Sequence, residues 1–296
     1  MNFNLTEDQL MLQTTVREFT EREIEPIAAQ LDPLCEGTAY ASIQFTEEET
    51  GSDPESLITT ARPDGDSYVI NGMKRFSTFG ARDGCAVLYT KDEDGACTAF
   101  VIEKNVPGYS VTKSWELMGG GGIEAVDVYF EDMRVPKANV LGGKGKGFDA
   151  LLHWISAEKI EQCAACVGIA QAALDEAITY TKSRMVRGKP IAGMQGIRWE
   201  LAEMQAKLQA ARWLTYRAAF LQDQSAPAWM TEAAAAKLFV VPTAIEIVEK
   251  ARQIHGAYGY TREFKIERLA RAIPAAASLA TTLEINRSIV GAAIAR

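Results

Sequence analysis

Hydrophobic positions along the chain fall into three successive rhythms. Between Thr6 and about Leu31, Leu12, Val16, Phe19 and Ile24 recur at helical spacing. Thr6 with Gln9 supplies a capping box at the start of that run. The pattern breaks at DPLCEGTAY, and from about Ala41 to Pro136 the period becomes two. DSYVINGMKRFS sets Asn71-Gly72 between alternating apolar residues and predicts a hairpin turn there. AVLYTKDEDGACTAFVIEK predicts a second hairpin at Asp94-Gly95, and EAVDVYFEDMRV a further strand. After Gly147 the helical period returns, over about 147–183, 193–223, 230–258 and 275–295. The stripes are wide, as in Ile197, Leu201, Met204, Leu208 and Leu214, so the helices should pack as a bundle. The reading is an α+β chain with an N-terminal helix, a middle β-domain of barrel or sandwich-like type and a C-terminal four-helix bundle. Its boundaries are 1–40, 41–140 and 141–296.

Composition narrows the partners. The 296 residues carry a net charge of −8 and are 47% hydrophobic, enough for ample core. An acidic chain is a poor nonspecific ligand for nucleic acid. No apolar run is long enough to span a bilayer, and MNFNLTEDQL is too acidic and polar for a signal or transit peptide. A soluble, cytoplasmic protein without nucleic-acid or membrane partners is expected. Of the five cysteines, Cys163 and Cys166 form a CxxC inside the helical run EQCAACVGIAQAAL. No second pair or histidine follows at metal spacing, so two small buried residues on a helix face are expected, and no metal. The two histidines, His153 and His255, are too few for a His-rich centre.

Two glycine runs and one acid run invite chemistry. GGKGKGF, Gly142 to Phe148, lies between strands and helices and does not open a βαβ unit. It therefore reads as a β-to-α connector and not as a dinucleotide fingerprint. Gly119 to Gly122 reads as a loop needing unusual φ or close backbone approach. FTEEETGSD, Phe45 to Asp53, is open to reading as a metal site, a carboxylate pair or a loop rim.

Five segments in order resemble the acyl-CoA dehydrogenase family. FTEEETGSD is similar to its TEPxAGSD loop, and INGMKRFSTFG to its INGxKxWITNG segment. VYFEDMRVPKANVLGGKGKGF is similar to FxDVxVPxxNxLGxxGxGF, SRMVRGKPIAGMQ to ERxxFGxxIxxxQ, and QIHGAYGYTREFKIERLAR to QxxGGxGYxxEyPxERxxR. The resemblance implies FAD, an acyl-CoA substrate, an electron-transferring flavoprotein as electron acceptor, and a homo-oligomer, dimer or tetramer, in which one FAD site draws on two subunits. It implies that Thr46 lies beside the flavin ring and Ser52 near the flavin and the CoA chain, with the glutamates mostly on a solvated rim. Phe76 stands where the family has Trp against the ring, and Thr78 where a hydroxyl approaches flavin N5. Arg184, Gln195, Gln253 and Gly256 match contacts to the neighbouring subunit's FAD, and Thr282 a hydroxyl near its adenosine or pyrophosphate. Glu48, Thr50, Arg187 and Ala257 depart from the family's Pro, Ala, Phe and Gly.

The implied reaction is α,β-desaturation of an acyl thioester, with a carboxylate taking the α-proton and the β-hydride passing to flavin N5. The thioester oxygen is gripped by a ribityl hydroxyl and a backbone N–H, which stabilises enolate charge. The family's usual base lies in a YEGT motif; here the stretch is LATT, and Ala280 takes the Glu position. Its N–H is kept, so Ala280 remains a substrate-binding candidate. Some branches carry the base on the first bundle helix, which aligns with Glu158; Lys159 replaces an Arg that helps bind CoA. The family's remaining N-terminal helices are not in this sequence, through an internal deletion or an omitted segment, and an acid from that region is a further candidate base. Two other readings stand beside the desaturase: an acyl-CoA-binding flavoprotein that does not desaturate (a lyase-like member or the silent subunit of a heteromer), and a non-enzymatic remnant.

Overall fold

The structure is a computed structural model that describes residues 40–53, 56–119 and 123–295. The expected helix over residues 6–31 lies outside them. The described residues form two compact units, one within 40–116 and 123–147, the other within 117–119 and 148–295.

The first unit is a mixed sheet. Its strands are β1 (Tyr40–Gln44), β2 (Thr60–Asp64), β3 (Ser67–Thr78), β4 (Gly84–Lys91), β5 (Cys97–Glu103), β6 (Tyr109–Ser114), β7 (Ala125–Pro136) and β8 (Val140–Leu141). The order is β6-β7-β3-β2-β4-β5-β8, with β1 also on β4. Neighbours run antiparallel except β1 and β2, each parallel to β4. The two ends, β6 and β8, do not pair with each other, so this is an open sheet and not the closed barrel that was one expectation. Ile70, Leu88, Phe100, Val126, Val128 and Met133 are buried together and form its core.

One expected hairpin is present and one is not. Asp94-Gly95 lies in the β4–β5 connection, where Asp92 accepts the N–H groups of Asp94 and Ala96 and the Thr98 hydroxyl. Asn71-Gly72 does not turn the chain; β3 runs straight through it. The register against β7 shifts between Ile70 and Gly72, which marks a bulge. A Cβ on Gly72 would come within 2.8 Å of three Thr59 atoms, and its φ of +144° also suits only glycine. Asn71 bonds sideways, donating to Asp132 Oδ1 at 3.1 Å and accepting the Asp132 N–H at 2.9 Å. The β2–β3 turn instead falls at Gly65 and Asp66, with Gly65 at φ +61°.

GGKGKGF is the β-to-α connector expected of it. Gly142, Gly143 and Gly145 all have positive φ, and the Gly145 N–H donates to Thr98 Oγ1 at 2.8 Å. At Gly147 a Cβ would stand 2.8 Å from the Ala99 nitrogen. Gly119 shows the other predicted use, close approach: a Cβ there would meet the Arg271 carbonyl oxygen at 2.2 Å.

The second unit holds α1 (Gly147–Ser183), α2 (Gln195–Asp223), α3 (Trp229–Ile254), α4 (Lys265–Ala272) and α5 (Leu283–Ile294). A short hairpin of β9 (Met185–Val186) and β10 (Lys189–Pro190) joins α1 to α2. Alanines dominate the buried face of α3, and Leu174, Met204, Leu208, Val240, Ile247 and Val248 pack with them. Among the described residues of this unit five helices replace the expected four. The extra one, α4, is only eight residues and carries its apolar anchor on Ile266. The helix expected from 275 starts eight residues later. Pro274 sits in a 3-10 turn, and Ala280 and Thr281 have φ of +50° and +94°, which no right-handed helix can contain. Among the described residues no helix is long and apolar enough to cross a membrane.

Candidate active site

In the first unit Glu48 and Glu49 lie on the solvated rim expected of the acid run, and Glu47 does not. Glu47 is buried and pairs with the equally buried Lys74 at 2.7 Å. Its carboxylate also accepts the Ile58 N–H at 2.6 Å, the Thr59 N–H at 2.9 Å and the Thr50 hydroxyl at 3.3 Å. Burial alone would raise this carboxyl, but Lys74 and the N–H donors hold it below its usual value. Glu48 and Glu49 are exposed, and Glu48 pairs with Arg75 at 3.0 Å. The staple fixes the loop that carries Thr46 against β3, where the Arg75 N–H donates to the Thr46 carbonyl at 2.7 Å. Thr46 is thereby held beside the strand that bears Phe76 and Thr78.

Phe76 is half exposed although it lies in a long strand, and its φ is +55°. Its ring lies 4.9 Å from that of Trp115. Asp127, buried on β7, organises both: Oδ1 accepts from Trp115 Nε1 at 2.8 Å and from the Phe76 N–H at 3.4 Å, while Oδ2 meets Arg75. Thr78 is exposed two residues on. Ser52 is exposed in the loop that follows Thr46. Asp127 and Trp115 were missed in the sequence; a charged residue at an inward position of EAVDVYF was the available signal for Asp127. The result is an exposed aromatic platform beside hydroxyls, which fits a flat ring system bearing polar edges.

The second unit presents two further clusters. Tyr180, Arg184, Ile191, His255, Gly256 and Tyr258 line a groove of about 210 Å³. Arg184 is exposed, Gly256 has φ +61°, and Tyr180 stacks on the buried His255 at 4.3 Å. A guanidinium beside bare backbone fits a phosphorylated ligand. Gln195 opens α2 and Gln253 closes α3; both are exposed and neither lines the groove.

The other cluster surrounds the LATT turn. Lys237 on α3 is fully buried. Its ammonium donates to the carbonyls of Leu279 and Thr281, the latter at 2.7 Å, and to Gln162 Oε1 at 3.2 Å. Gln162 Nε2 in turn donates to Glu158 at 3.3 Å. Glu158 and the turn bearing Ala280 therefore belong to one hydrogen-bonded chain. Burial raises the Glu158 carboxyl, against lowering by Gln162 and Lys237. Burial likewise pulls the Lys237 ammonium down to about 8, against Cys163 and Glu158. Lys159 is buried and its ammonium is lowered by burial. Thr282 caps α5, accepting the Ile285 N–H at 3.4 Å. Cys163 and Cys166 are buried, and burial pushes their thiols up to about 12 and about 11, so both stay protonated. Lys237 was not foreseen; a lone lysine in the apolar run AAAAKLFVV was its trace.

The sequence and the fold are similar to those of known proteins. The family described as acyl-CoA dehydrogenase, middle domain, matches residues 42–133, and that described as acyl-CoA dehydrogenase, C-terminal domain, matches 145–295. The caffeyl-CoA reductase-Etf complex subunit CarC of Acetobacterium woodii is 39% identical over 256 residues, 85% of this chain and 66% of that protein. The short-chain specific acyl-CoA dehydrogenase of Clostridium acetobutylicum is 28% identical over 381 aligned positions that cover both chains in full. The butyryl-CoA dehydrogenase structure from Megasphaera elsdenii superposes with a TM-score of 0.85 at 34% identity, over 89% of this chain and 70% of that one.

Proposed function

Because the chain belongs to the acyl-CoA dehydrogenase family of FAD-dependent oxidoreductases, we propose that it desaturates an acyl-CoA thioester between the α and β carbons with Glu158 as base. The observation that carries this is the link from Glu158 through Gln162 and Lys237 to the Ala280 turn. A carboxyl raised by burial is a stronger base than an exposed one, as removal of a weakly acidic α-proton needs. Glu158 takes that proton. The Ala280 N–H has no acceptor among the described residues and is offered to the thioester oxygen, where enolate charge gathers. FAD, when bound, supplies the acceptor for the β-hydride. Thr46, Phe76 and Thr78 would hold its ring, with Ser52 near the CoA chain. Arg184, Gln195, Gln253 and Gly256 would reach the neighbouring subunit's FAD, Thr282 would lie near an adenosine or pyrophosphate portion, and Lys159 would meet CoA. An electron-transferring flavoprotein is the proposed electron acceptor, in keeping with the Etf complex to which CarC belongs, and the working form is a homo-oligomer.

Anaerobic titration with straight-chain, branched and alicyclic acyl-CoAs, followed by the oxidised-flavin absorbance, tests the reading. One class should bleach the flavin, and Glu158→Gln should keep FAD yet abolish the bleaching; undiminished bleaching in that variant would remove Glu158 from the role. Ala280, a methyl where the family's usual carboxylate stands, favours the second reading, a flavoprotein that binds acyl-CoA without desaturating it. On that reading the flavin spectrum shifts with ligand and never bleaches.

A further inference from the structure

The turn from Leu279 to Thr282 is held in a conformation its own residues resist. Ala280 and Thr281 both have positive φ, and Thr281 is β-branched at +94°. Such backbone persists only where surroundings over-determine it. Two side chains do so here. Asn286, buried on α5, donates to Thr281 Oγ1 at 3.0 Å and to the Thr282 carbonyl at 2.7 Å. Lys237 takes the carbonyls of Leu279 and Thr281, on either side of Ala280. No carboxylate among the described residues lies within ion-pair distance of Lys237, so its charge is spent on neutral acceptors.

Peptide geometry turns this grip into direction. The Leu279–Ala280 peptide is trans, so its C=O and N–H point to opposite sides. With the Leu279 oxygen drawn onto Lys237, the Ala280 N–H must face away from the lysine. That N–H finds no acceptor among the described residues. The same lysine orders Gln162, the partner of Glu158.

We propose that Lys237 is a positioning residue for the reaction: by holding the Leu279 and Thr281 carbonyls it aims the Ala280 N–H at the thioester oxygen of a bound acyl-CoA, and through Gln162 it orients Glu158. This rests on the desaturase reading above. Lys237 touches neither substrate nor flavin in this role. It replaces rigidity that the turn's own sequence does not supply, since neither position of the strained pair is a glycine.

The test is the infrared carbonyl stretch of crotonyl-CoA bound to the FAD-loaded protein, wild type against Lys237→Met. A hydrogen bond to the thioester oxygen lowers that frequency. Wild type should lower it, and Lys237→Met should lose about half or more of the lowering while retaining FAD and a cooperative melt. Turnover with the saturated thioester should fall roughly tenfold to hundredfold in kcat with KM little changed, the pattern of an interaction made in the transition state. A variant with the wild-type frequency overturns the positioning role and leaves the desaturase reading standing. A wild type that does not lower the frequency overturns both. Should Lys237→Met fail to fold, Lys237→Gln, uncharged and too short to span both carbonyls, is read by the same two outcomes.

Discussion

Among the described residues Lys74 in the sheet and Lys237 in the helices are both without solvent exposure, and they are buried in opposite ways. Lys74 in the sheet meets a carboxylate at 2.7 Å, donates to the Phe45 carbonyl, and shares Glu47 with two backbone N–H groups and a hydroxyl. Lys237 in the helices meets two carbonyls and an amide. Burial pulls both ammonium groups down to about 8. The shared direction says only that each is desolvated. The partners say what each is for. A charge neutralised on the spot by a fully bonded carboxylate mainly holds that partner in place, and the Glu47–Lys74 pair is a staple that sets the Thr46 loop against β3. A charge held by neutral carbonyls shapes the backbone that supplies them, and its field reaches Glu158.

The largest expected effect breaks the staple. Lys74→Met leaves a buried, uncompensated Glu47 and should cost about 3–5 kcal/mol of unfolding free energy, read from a denaturant titration. Adding Glu47→Leu should recover only part of that loss, because it removes the unpaired charge but leaves the Ile58 and Thr59 N–H groups without their acceptor. A double variant as unstable as the single one would show that the stranded N–H groups cost as much as the unpaired charge.

The same pair predicts a pH dependence. The Glu47 carboxyl is held below its ordinary value of 4.5 in the folded protein. Below 4.5 the unfolded chain binds the proton more readily, so stability from this group is complete above that pH and is lost as pH falls through the lower, folded value. The wild type should therefore lose stability more steeply on acidification than the Lys74→Met, Glu47→Leu variant, as melting temperatures across acid pH would register.

Much of this was legible in sequence, and the failures share a cause. The helical period located α1 to within a residue, and the glycines of GGKGKGF were read correctly as a connector, because both signals are local. Asn71-Gly72 misled because a hairpin dipeptide and a bulge glycine look alike until Thr59, distant in sequence, is seen pressing on the missing Cβ. Glu47 misled for the same reason: beside Glu48 and Glu49 it reads as rim, and only Lys74, 27 residues away, makes it core. On the site, the resemblance supplied the residues expected around FAD. It did not supply Lys237, Gln162 or Asp127, whose roles exist only through partners on other elements.

The smallest effect sharpens the comparison at the lysine that is not paired. If Lys237 holds the LATT turn against its own preference, relief of that preference should register as stability. Thr281 at φ +94° carries strain of about 1–3 kcal/mol, and glycine would remove it at an entropic cost of about 0.5–1 kcal/mol. Asn286 would lose the Thr281 hydroxyl but keep the Thr282 carbonyl. Thr281→Gly should thus be stabilising by about 1 kcal/mol in a denaturant titration. A loss of stability instead would mean that the threonine hydroxyl, and not the backbone angle, decides the turn. The staple and the clamp would then differ less than their partners suggest, each resting on a side-chain bond to a group it was built to satisfy.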